Sequence, residues 1–444
     1  MKKVSVKYLA ILIIPIFIEL LLQLLAGNVD KLMVSNDDLA TSINQANSVL
    51  DLLVVSISVL ASSSLILLNQ YKGAGLKDKE REIYRLSYYF YLFVSIILSL
   101  ILLSLSKPIL YLMQVDDNII EHANLYLMIN GGCLFLQAMM ISFQNYLRSN
   151  DLTKTSLLVS LVFNVINIGL NALFLYGIKM DPILAVSLGS VISRLCGVIL
   201  LYIMYKMKVR VPLNIKGLFP INFREIKKII SIGLPSAMEA INYSMTQIVI
   251  LSFINIIGNS FEAVAPAAKT YASIIVMITY LFVNATSMGM QIVLGRYLGS
   301  NEKELAKKLV LKTTLISIVM SVSVAMMFAL LSNQVYGIFT SNQDVIALCR
   351  NVMFVDILLE FGRAINIVMV RSLQTAGDVM YPTILAIISC WLIATTLSYV
   401  FGVVLKMGLV GVWWAMTIDE LLRAGLFIIR FQRGKWIKKN LVTA

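Results

Sequence analysis

The chain has 444 residues, of which 59% are hydrophobic and only 14% are Asp, Glu, Lys or Arg. A soluble protein of this length needs more charged surface than this composition supplies, so a soluble globular protein is excluded. The formal net charge of +13 raises the question of nucleic acid, which the positions of the basic residues answer below.

Apolar runs near the ~20 residues needed to cross a bilayer recur from end to end and predict an all-α polytopic membrane protein. Hydropathy predicts twelve transmembrane helices. In chain order they cover residues 8–33, 46–70, 84–105, 122–146, 155–177, 183–205, 229–256, 264–294, 309–331, 346–370, 381–404 and 409–430. The first span is interpreted as an uncleaved helix, because no small-residue cleavage site follows its apolar run.

The basic residues are distributed asymmetrically between the two sides of these spans. Of the 37 Lys and Arg residues, 28 lie at the chain ends, in the connections on one side or in the adjoining ends of the spans, and five lie in the corresponding places on the other side. This is the positive-inside pattern, which predicts a multi-pass protein of the inner or plasma membrane with both termini cytoplasmic. The basic charge then faces anionic lipid, and nucleic acid is not an expected partner.

The longest polar connection, residues 206–228, divides the spans six and six. We therefore predict an N-lobe over residues 1–213, a basic cytoplasmic linker over 214–228 and a C-lobe over 229–444. Short motifs recur in the same order in both halves: PIFIE and PSAME, NQYKGAG and GRYLGSN, RSNDLTKT and TAGDVMYP. Because each half has an even number of spans, the two lobes are expected to be related by a pseudo-two-fold axis along the membrane normal, as in secondary transporters.

Polar residues inside the spans are the candidate functional groups. An ionisable side chain within a span costs ~2.5–3.5 kcal/mol to insert, so Asp30 is expected either to be paired with another group or to have a function. We interpret it as an acceptor for H⁺ or Na⁺; the alternative is a hydrated carboxylate near the outer interface beside Lys31. Asn164, Asn167 and Asn171 are spaced to share one helix face, where they either serve the same site or only join helices.

Seven segments together resemble the multidrug and toxic compound extrusion (MATE) transporters, in family order and over nearly the whole chain. They are PIFIELLLQLLAGNVDKLMVS, NQYKGAG, QNYLRSND, FNVINIGLNALFLYG, GLPSAMEAINYSMTQ, QIVLGRYLG and RSLQTAGDVMYP. The resemblance implies two six-helix lobes around a V-shaped cavity, which expel amphipathic, often cationic compounds in exchange for inward H⁺ or Na⁺. It implies alternating access without ATP, no cofactor beyond the coupling ion, a small-molecule substrate, a bilayer setting and a monomer.

The same resemblance assigns residues in the first lobe. Asp30 corresponds to the first-helix aspartate of the family, and Asn167 and Asn171 match two polar positions near it. The second of these is often Asp in proton-coupled members, so Asn171 departs from that version and leaves an amide oxygen suited to Na⁺. Ser190 matches a hydroxyl position of the sixth helix. No metal site is expected beyond a transient Na⁺ at Asp30.

The second lobe departs further from the family pattern. Where members with a cation site there carry a seventh-helix glutamate and a tenth-helix aspartate, this chain has Tyr243 and Arg363. Glu239 and Glu360 are the nearby acids, and we expect a buried charge cluster with Arg363 or, equally, a static ion pair.

Three acids lie outside these candidate sites, and we interpret them separately. Asp419 and Glu420 are expected to be neutralised by Arg423 at helical i,i+4 and i,i+3 spacing, in a structural role. Glu19 is interpreted either as an architectural residue, like its counterpart Glu239, or as a residue lining the cavity.

Two other functions stay open at this point. One is a flippase for lipid-linked oligosaccharide from the same superfamily, although such proteins tend to line their cavity with more basic residues. The other is a passive channel. An enzyme is not expected, because no HExxH or GxSxG motif occurs, the single His122 lies apart from the polar residues, and no P-loop is present.

Overall fold

A computed structural model describes residues 5–34, 36–438 and 441–442, without the side chains of Ala26, Asn28, Lys216, Leu218, Lys435 and Lys438. Ser35 of the first family motif and the outer ends of both predicted lobes lie outside the described residues. Within those ranges, every regular element is helical. The prediction of an all-α protein is therefore confirmed.

The described part of the chain forms fourteen α-helices. They are α1 (Val6–Met33), α2 (Asp37–Gly73), α3 (Lys77–Leu112), α4 (Ile120–Gly132), α5 (Leu134–Ser149), α6 (Thr153–Ala172), α7 (Pro182–Lys208), α8 (Phe223–Ser260), α9 (Ala265–Gly299), α10 (Lys303–Leu330), α11 (Ser332–Tyr336), α12 (Gln343–Thr375), α13 (Met380–Ser389) and α14 (Gly408–Gln432). Short π-helical segments extend α6 over Leu173–Gly177 and α13 over Cys390–Thr395 and Ser398–Val404. Two 3₁₀ turns lie at Ile215–Leu218 and Lys435–Lys438.

These helices account for the twelve predicted spans: eleven lie within one helical segment to within one residue, and the span 122–146 falls across α4 and α5. By length and composition, nine described segments are able to cross a membrane, and α4 with α5, bent by 45° at their junction, makes a tenth. The remaining two spans are α12 and α14, whose central turns carry acids and arginines. Their charge content separates them from the other spans and makes them candidates for function.

Polar residues in the connections begin several helices. The Asn36 side chain accepts hydrogen bonds from the backbone N–H groups of Asp38 and Leu39 at the start of α2. At the start of α7 the Asp181 side chain accepts from the Leu184 N–H, with Pro182 in the first turn. Such caps satisfy backbone donors that the first turn of a helix leaves free. Hydropathy does not detect them, because it reads only the apolar middle of each helix.

The described part of the chain divides into two compact units, one made by its residues up to Ala237 and the other by those from Met238 onward. The division falls inside α8, which begins at Phe223, so the last six residues of the predicted linker 214–228 are helical. The Asn222 side chain accepts from the Arg224 N–H at this start.

Each unit has its own apolar packing. The first unit includes a cluster of aromatic rings from α3, α5 and α7, in which Phe143 and Tyr205 lie 5.5 Å apart. The second packs α8, α9, α12 and α14 around fully buried residues such as Val352 and Leu409.

Candidate functional site

Asp30 lies near the end of α1 and its side chain is only 4% exposed. Its Oδ2 accepts hydrogen bonds from the Tyr126 hydroxyl at 2.7 Å and the Ser190 hydroxyl at 2.8 Å. Its Oδ1 accepts from the Asn171 amide at 2.8 Å. Three neutral donors from α4, α6 and α7 therefore converge on one buried carboxylate. The alternative was a carboxylate hydrated near the outer interface beside Lys31. The observed carboxylate is instead buried and bound by protein donors.

Asp30 has no ion-pair partner among the described residues. The neighbouring Lys31 instead donates to the side-chain oxygen of Asn44, 3.0 Å away. Neutral donors alone do not cancel the charge of an ionised carboxylate, and burying an unpaired charge is costly. This is an arrangement that suits a mobile cation, because no protein cation competes for the site.

Asn171 is fully buried, and its Oδ1 has no hydrogen-bond partner among the described groups. A Cβ atom added at Gly189 on α7 would collide with this oxygen. Gly189 therefore allows α7 to approach α6 closely enough to hold the Asn171 amide beside Asp30. The free amide oxygen is available to a proton on Asp30 or to a bound Na⁺.

The other two asparagines of α6 are placed differently. Asn167 donates to the Ser190 hydroxyl at 3.1 Å, so it reaches Asp30 through Ser190. Asn164 donates to the Ser160 carbonyl of its own helix at 2.7 Å and does not join this cluster. The shared helix face brings all three asparagines into the interior of the protein, but only the last two turns of α6 reach the carboxylate.

Sequence reasoning missed Tyr126, which is fully covered and contacts Asp30 directly. One helical turn later on α4, the side-chain oxygen of Asn130 accepts from Arg194 at 3.0 Å. Tyr126 and Asn130 are polar residues at i and i+4 of an apolar span, which is the signal that identified the asparagines of α6. Asp51 on α2 was missed as well; it is exposed and interacts electrostatically with Lys31 and Arg194.

Glu19 is fully buried on α1, eleven residues before Asp30, in a second and separate network. Its Oε1 accepts from Gln144 at 2.7 Å and from Ser156 and Ser160 at 2.9 Å each. Its Oε2 pairs with Arg148 at 2.8 Å. Both oxygens of this carboxylate are therefore bound by protein side chains from α5 and α6. Glu19 therefore joins three helices and has no free oxygen for a ligand.

The four candidate residues of the second unit do not form one contact cluster. Glu360 is fully buried and pairs with Arg363, as its i,i+3 spacing predicts. Glu239 instead accepts from the Gln374 amide at 3.3 Å. Tyr243 is 41% exposed, and its hydroxyl makes no hydrogen bond among the described residues. The expected cluster of Glu239 with Glu360 and Arg363 is thus reduced to the Glu360–Arg363 pair, because Glu239 faces another turn of α12.

The charged residues of α14 pair as expected. Arg423 lies 2.6 Å from Asp419 and 3.1 Å from Glu420. Asp419 also accepts from Ser389, and Glu420 accepts from Asn366 on α12. These contacts join α12, α13 and α14 within the second unit.

Within the described ranges, no three His, Cys, Asp or Glu side chains gather into a metal-binding group. Around Asp30, by contrast, the carboxylate, the Tyr126 and Ser190 hydroxyls and the Asn171 amide bring several oxygen atoms together. Nine or ten apolar helical spans among the described residues, with a buried carboxylate that has no ion-pair partner inside the first unit, define a polytopic membrane protein of the kind that includes secondary transporters.

Comparison with known proteins agrees with this class. A family model described as MatE matches residues 15–173 and 235–400. A Bacillus subtilis protein named "Uncharacterized transporter YisQ" is 30% identical, with 96% of this chain and 94% of that protein covered. The Thermotoga maritima "Probable multidrug resistance protein NorM" is 25% identical, with 98% and 94% covered.

Solved structures show the same fold. A crystal structure of a MATE protein in the bent conformation superposes with a TM-score of 0.90 at 18% identity, covering 98% of this chain and 96% of that one. A MOP superfamily transporter from Pyrococcus furiosus gives a TM-score of 0.87 at 18% identity, again with 98% and 96% covered. The chain belongs to the MatE family of membrane transporters.

Proposed function

We propose that this protein is a secondary active efflux transporter that exchanges amphipathic or cationic small molecules for inward H⁺ or Na⁺ by alternating access. The observation that carries the proposal is the Asp30 carboxylate, buried among three neutral donors without a protein cation. Membership of the MatE family supports the transport class. Relatives named as multidrug resistance proteins support the substrate class.

Asp30 is the coupling residue in this proposal. An incoming H⁺ or Na⁺ neutralises the carboxylate, as a neighbouring arginine or lysine would do in a fixed ion pair. A proton on Oδ2 needs an acceptor, which the Ser190 or Tyr126 hydroxyl supplies by rotating. A sodium ion would take the carboxylate, these hydroxyl oxygens and the unpartnered Asn171 Oδ1 as ligands. In either case the three present hydrogen bonds rearrange, so the ion state is linked to the packing of α1 against α4, α6 and α7.

The ion gradient supplies the work of export. Each proton contributes about 1.4 kcal/mol per pH unit, and each charge about 2.3 kcal/mol per 100 mV of membrane potential. These magnitudes support concentration ratios of ten or more per coupled ion. No ATP or resident cofactor enters this mechanism.

The setting of the protein completes the proposal. The basic residues on one side of the spans support an inner or plasma membrane location with cytoplasmic termini. The protein is proposed to act as a monomer. Methionine and aromatic side chains, 22 Met, 19 Phe, 19 Tyr and 4 Trp in the chain, provide adaptable apolar surface for substrates of varied shape.

The decisive experiment is efflux of a cationic dye from proteoliposomes, driven by an imposed pH gradient or an imposed Na⁺ gradient in turn. Dye movement against its own gradient, stopped by the matching ionophore, is the expected result for one of the two ions. Movement only down the dye gradient would indicate a passive channel. Translocation of a lipid-linked oligosaccharide without ion-driven dye flux would indicate a flippase, and either result overturns the proposal.

A further inference from the structure

The second unit contains two buried acids that the Asp30 site does not use. Asp356 and Glu360 lie one helical turn apart near the middle of α12, and both are 0% exposed. Residues at i and i+4 project from the same face of a helix, with Cβ atoms about 6 Å apart. The two carboxyl groups are therefore neighbours on one face, deep within the span.

Each of these acids is only half partnered. Asp356 Oδ1 accepts from the Trp413 indole N–H at 3.1 Å, and Glu360 Oε1 pairs with Arg363. The second oxygens, Asp356 Oδ2 and Glu360 Oε2, are buried and have no hydrogen-bond partner among the described residues. Buried carboxylate oxygens of an ionised group are rarely left in this state, because desolvation is not repaid.

The charges around this pair do not balance. Across α12 and α14, the acids Asp356, Glu360, Asp419 and Glu420 face two arginines. Arg423 is shared between Asp419 and Glu420, and Arg363 pairs with Glu360 while lying 3.9 Å from Glu420. Asp356 receives no arginine within ion-pair distance. With every acid ionised, this buried group would carry an excess of two negative charges.

The neighbouring elements add no further cation close to the two free oxygens. The Tyr336 hydroxyl of α11 is fully buried, interacts electrostatically with Asp356 and has no hydrogen-bond partner in the described part of the chain. The Cys349 thiol lies near Tyr336. The Thr279 hydroxyl of α9 lies near the Glu360 side chain and donates to the Val276 carbonyl, whereas the Ser321 hydroxyl of α10 donates to the backbone carbonyl of Glu360. From α14, Glu420 adds another negative charge.

We propose that Asp356 and Glu360 form a second proton-binding site, which holds one proton on their unpartnered oxygens at neutral pH. The proton neutralises one carboxyl group and turns it into a donor, which removes one of the two excess negative charges and one unsatisfied oxygen. A proton needs only one of these oxygens. A sodium ion would need several oxygen ligands, whereas among the described groups named above only the two carboxylate oxygens and the Tyr336 hydroxyl lack a hydrogen-bond partner. The site belongs to the second unit alone and does not depend on the proposed transport reaction.

Infrared difference spectroscopy of the full chain in lipid nanodiscs tests this directly, without any substrate. In Na⁺-free buffer, a change from neutral to alkaline pH is expected to remove a carbonyl band of a protonated carboxylic acid, and the band should shift in D₂O. Asp356→Asn and Glu360→Gln should each lose that change. The matched control is Asp378→Asn, a buried acid of the same unit that lies outside this group and has both oxygens paired with Arg430, and it should retain the change. Circular dichroism confirms that each variant is folded.

Two outcomes would overturn the proposal. One is an unchanged difference band in both folded variants at positions 356 and 360, which would assign the proton elsewhere. The other is loss of the wild-type band on adding Na⁺ at constant neutral pH, absent from Asp356→Asn, which would identify sodium as the occupant. Because proton binding is read without transport, a failed dye-efflux assay does not decide this result.

Discussion

The buried Glu19–Arg148 pair gives a prediction whose size follows from its contacts. Glu19→Gln removes the charge that faces the guanidinium at 2.8 Å. Arg148 is then left 4% exposed, with an unpartnered Nε and one long contact of 3.4 Å to Asn145. Breaking a buried pair in this way costs about 3–5 kcal/mol, or roughly two to four powers of ten in the folding equilibrium.

Arg148→Met should cost less than Glu19→Gln. The carboxylate keeps its three neutral donors, from Gln144, Ser156 and Ser160, when the arginine is removed. The double variant removes both charges and is expected to recover most of the stability, because no isolated buried charge remains. The coupling free energy between the two positions should therefore be about 2 kcal/mol or more.

Equilibrium unfolding in mixed micelles measures this double-mutant cycle, and ion-driven efflux of the double variant provides a second readout. The double variant is expected to transport normally, since Glu19 has no oxygen free for an ion. Additive stability effects would refute the interaction. Loss of coupled transport in a folded double variant would refute the structural role and make Glu19 a coupling residue.

Two further predictions concern other positions. Gly189→Ala should push the Asn171 amide away from Asp30 and break the hydrogen bond between them. Because a hydrogen bond to a charged group is worth ~1.5–3 kcal/mol, ion-driven flux should fall roughly ten- to hundredfold. Gly169→Ala, with open space at its Cβ, is the control, and equal flux in both would contradict the prediction. Glu262 lies in the α8–α9 connection, and burial raises the pKa of its carboxyl above 4.5. The hydrogen bond from the Leu409 backbone N–H lowers this pKa, but by less than burial raises it. The wild type should therefore lose stability as pH rises from 4.5 through that raised pKa, and Glu262→Gln should flatten this dependence in unfolding measurements; an unchanged profile would contradict it.

The spans were predictable because hydropathy integrates over many residues. The helix ends were not, since α3 runs from Lys77 to Leu112 whereas its predicted span covers 84–105. Polar turns such as those at the start of α3 continue a helix beyond the hydrocarbon, where hydropathy carries no signal. The bend between α4 and α5 was also absent from the prediction, because the apolar run continues through Cys133 without a break.

The candidate site was predictable only in part. Spacing brings Asn167 and Asn171 to one face of α6, and the family resemblance associates them with Asp30. The contact of Tyr126 with Asp30 depends on how α4 is rotated against α1, and local periodicity contains no information on that rotation. The Glu19–Arg148 pair joins residues 129 positions apart, and no local pattern links them.

The proposed mechanism requires the carboxylate of Asp30 to couple the ion to transport. Its most direct test is ion-driven dye efflux by Asp30→Asn in proteoliposomes, beside Asp37→Asn, an exposed acid in the first turn of α2. We predict that Asp30→Asn, folded and inserted in normal amount, gives no efflux above that of empty liposomes, while Asp37→Asn matches the wild type. Ion-driven efflux by Asp30→Asn at the wild-type rate would show that Asp30 is not the coupling residue.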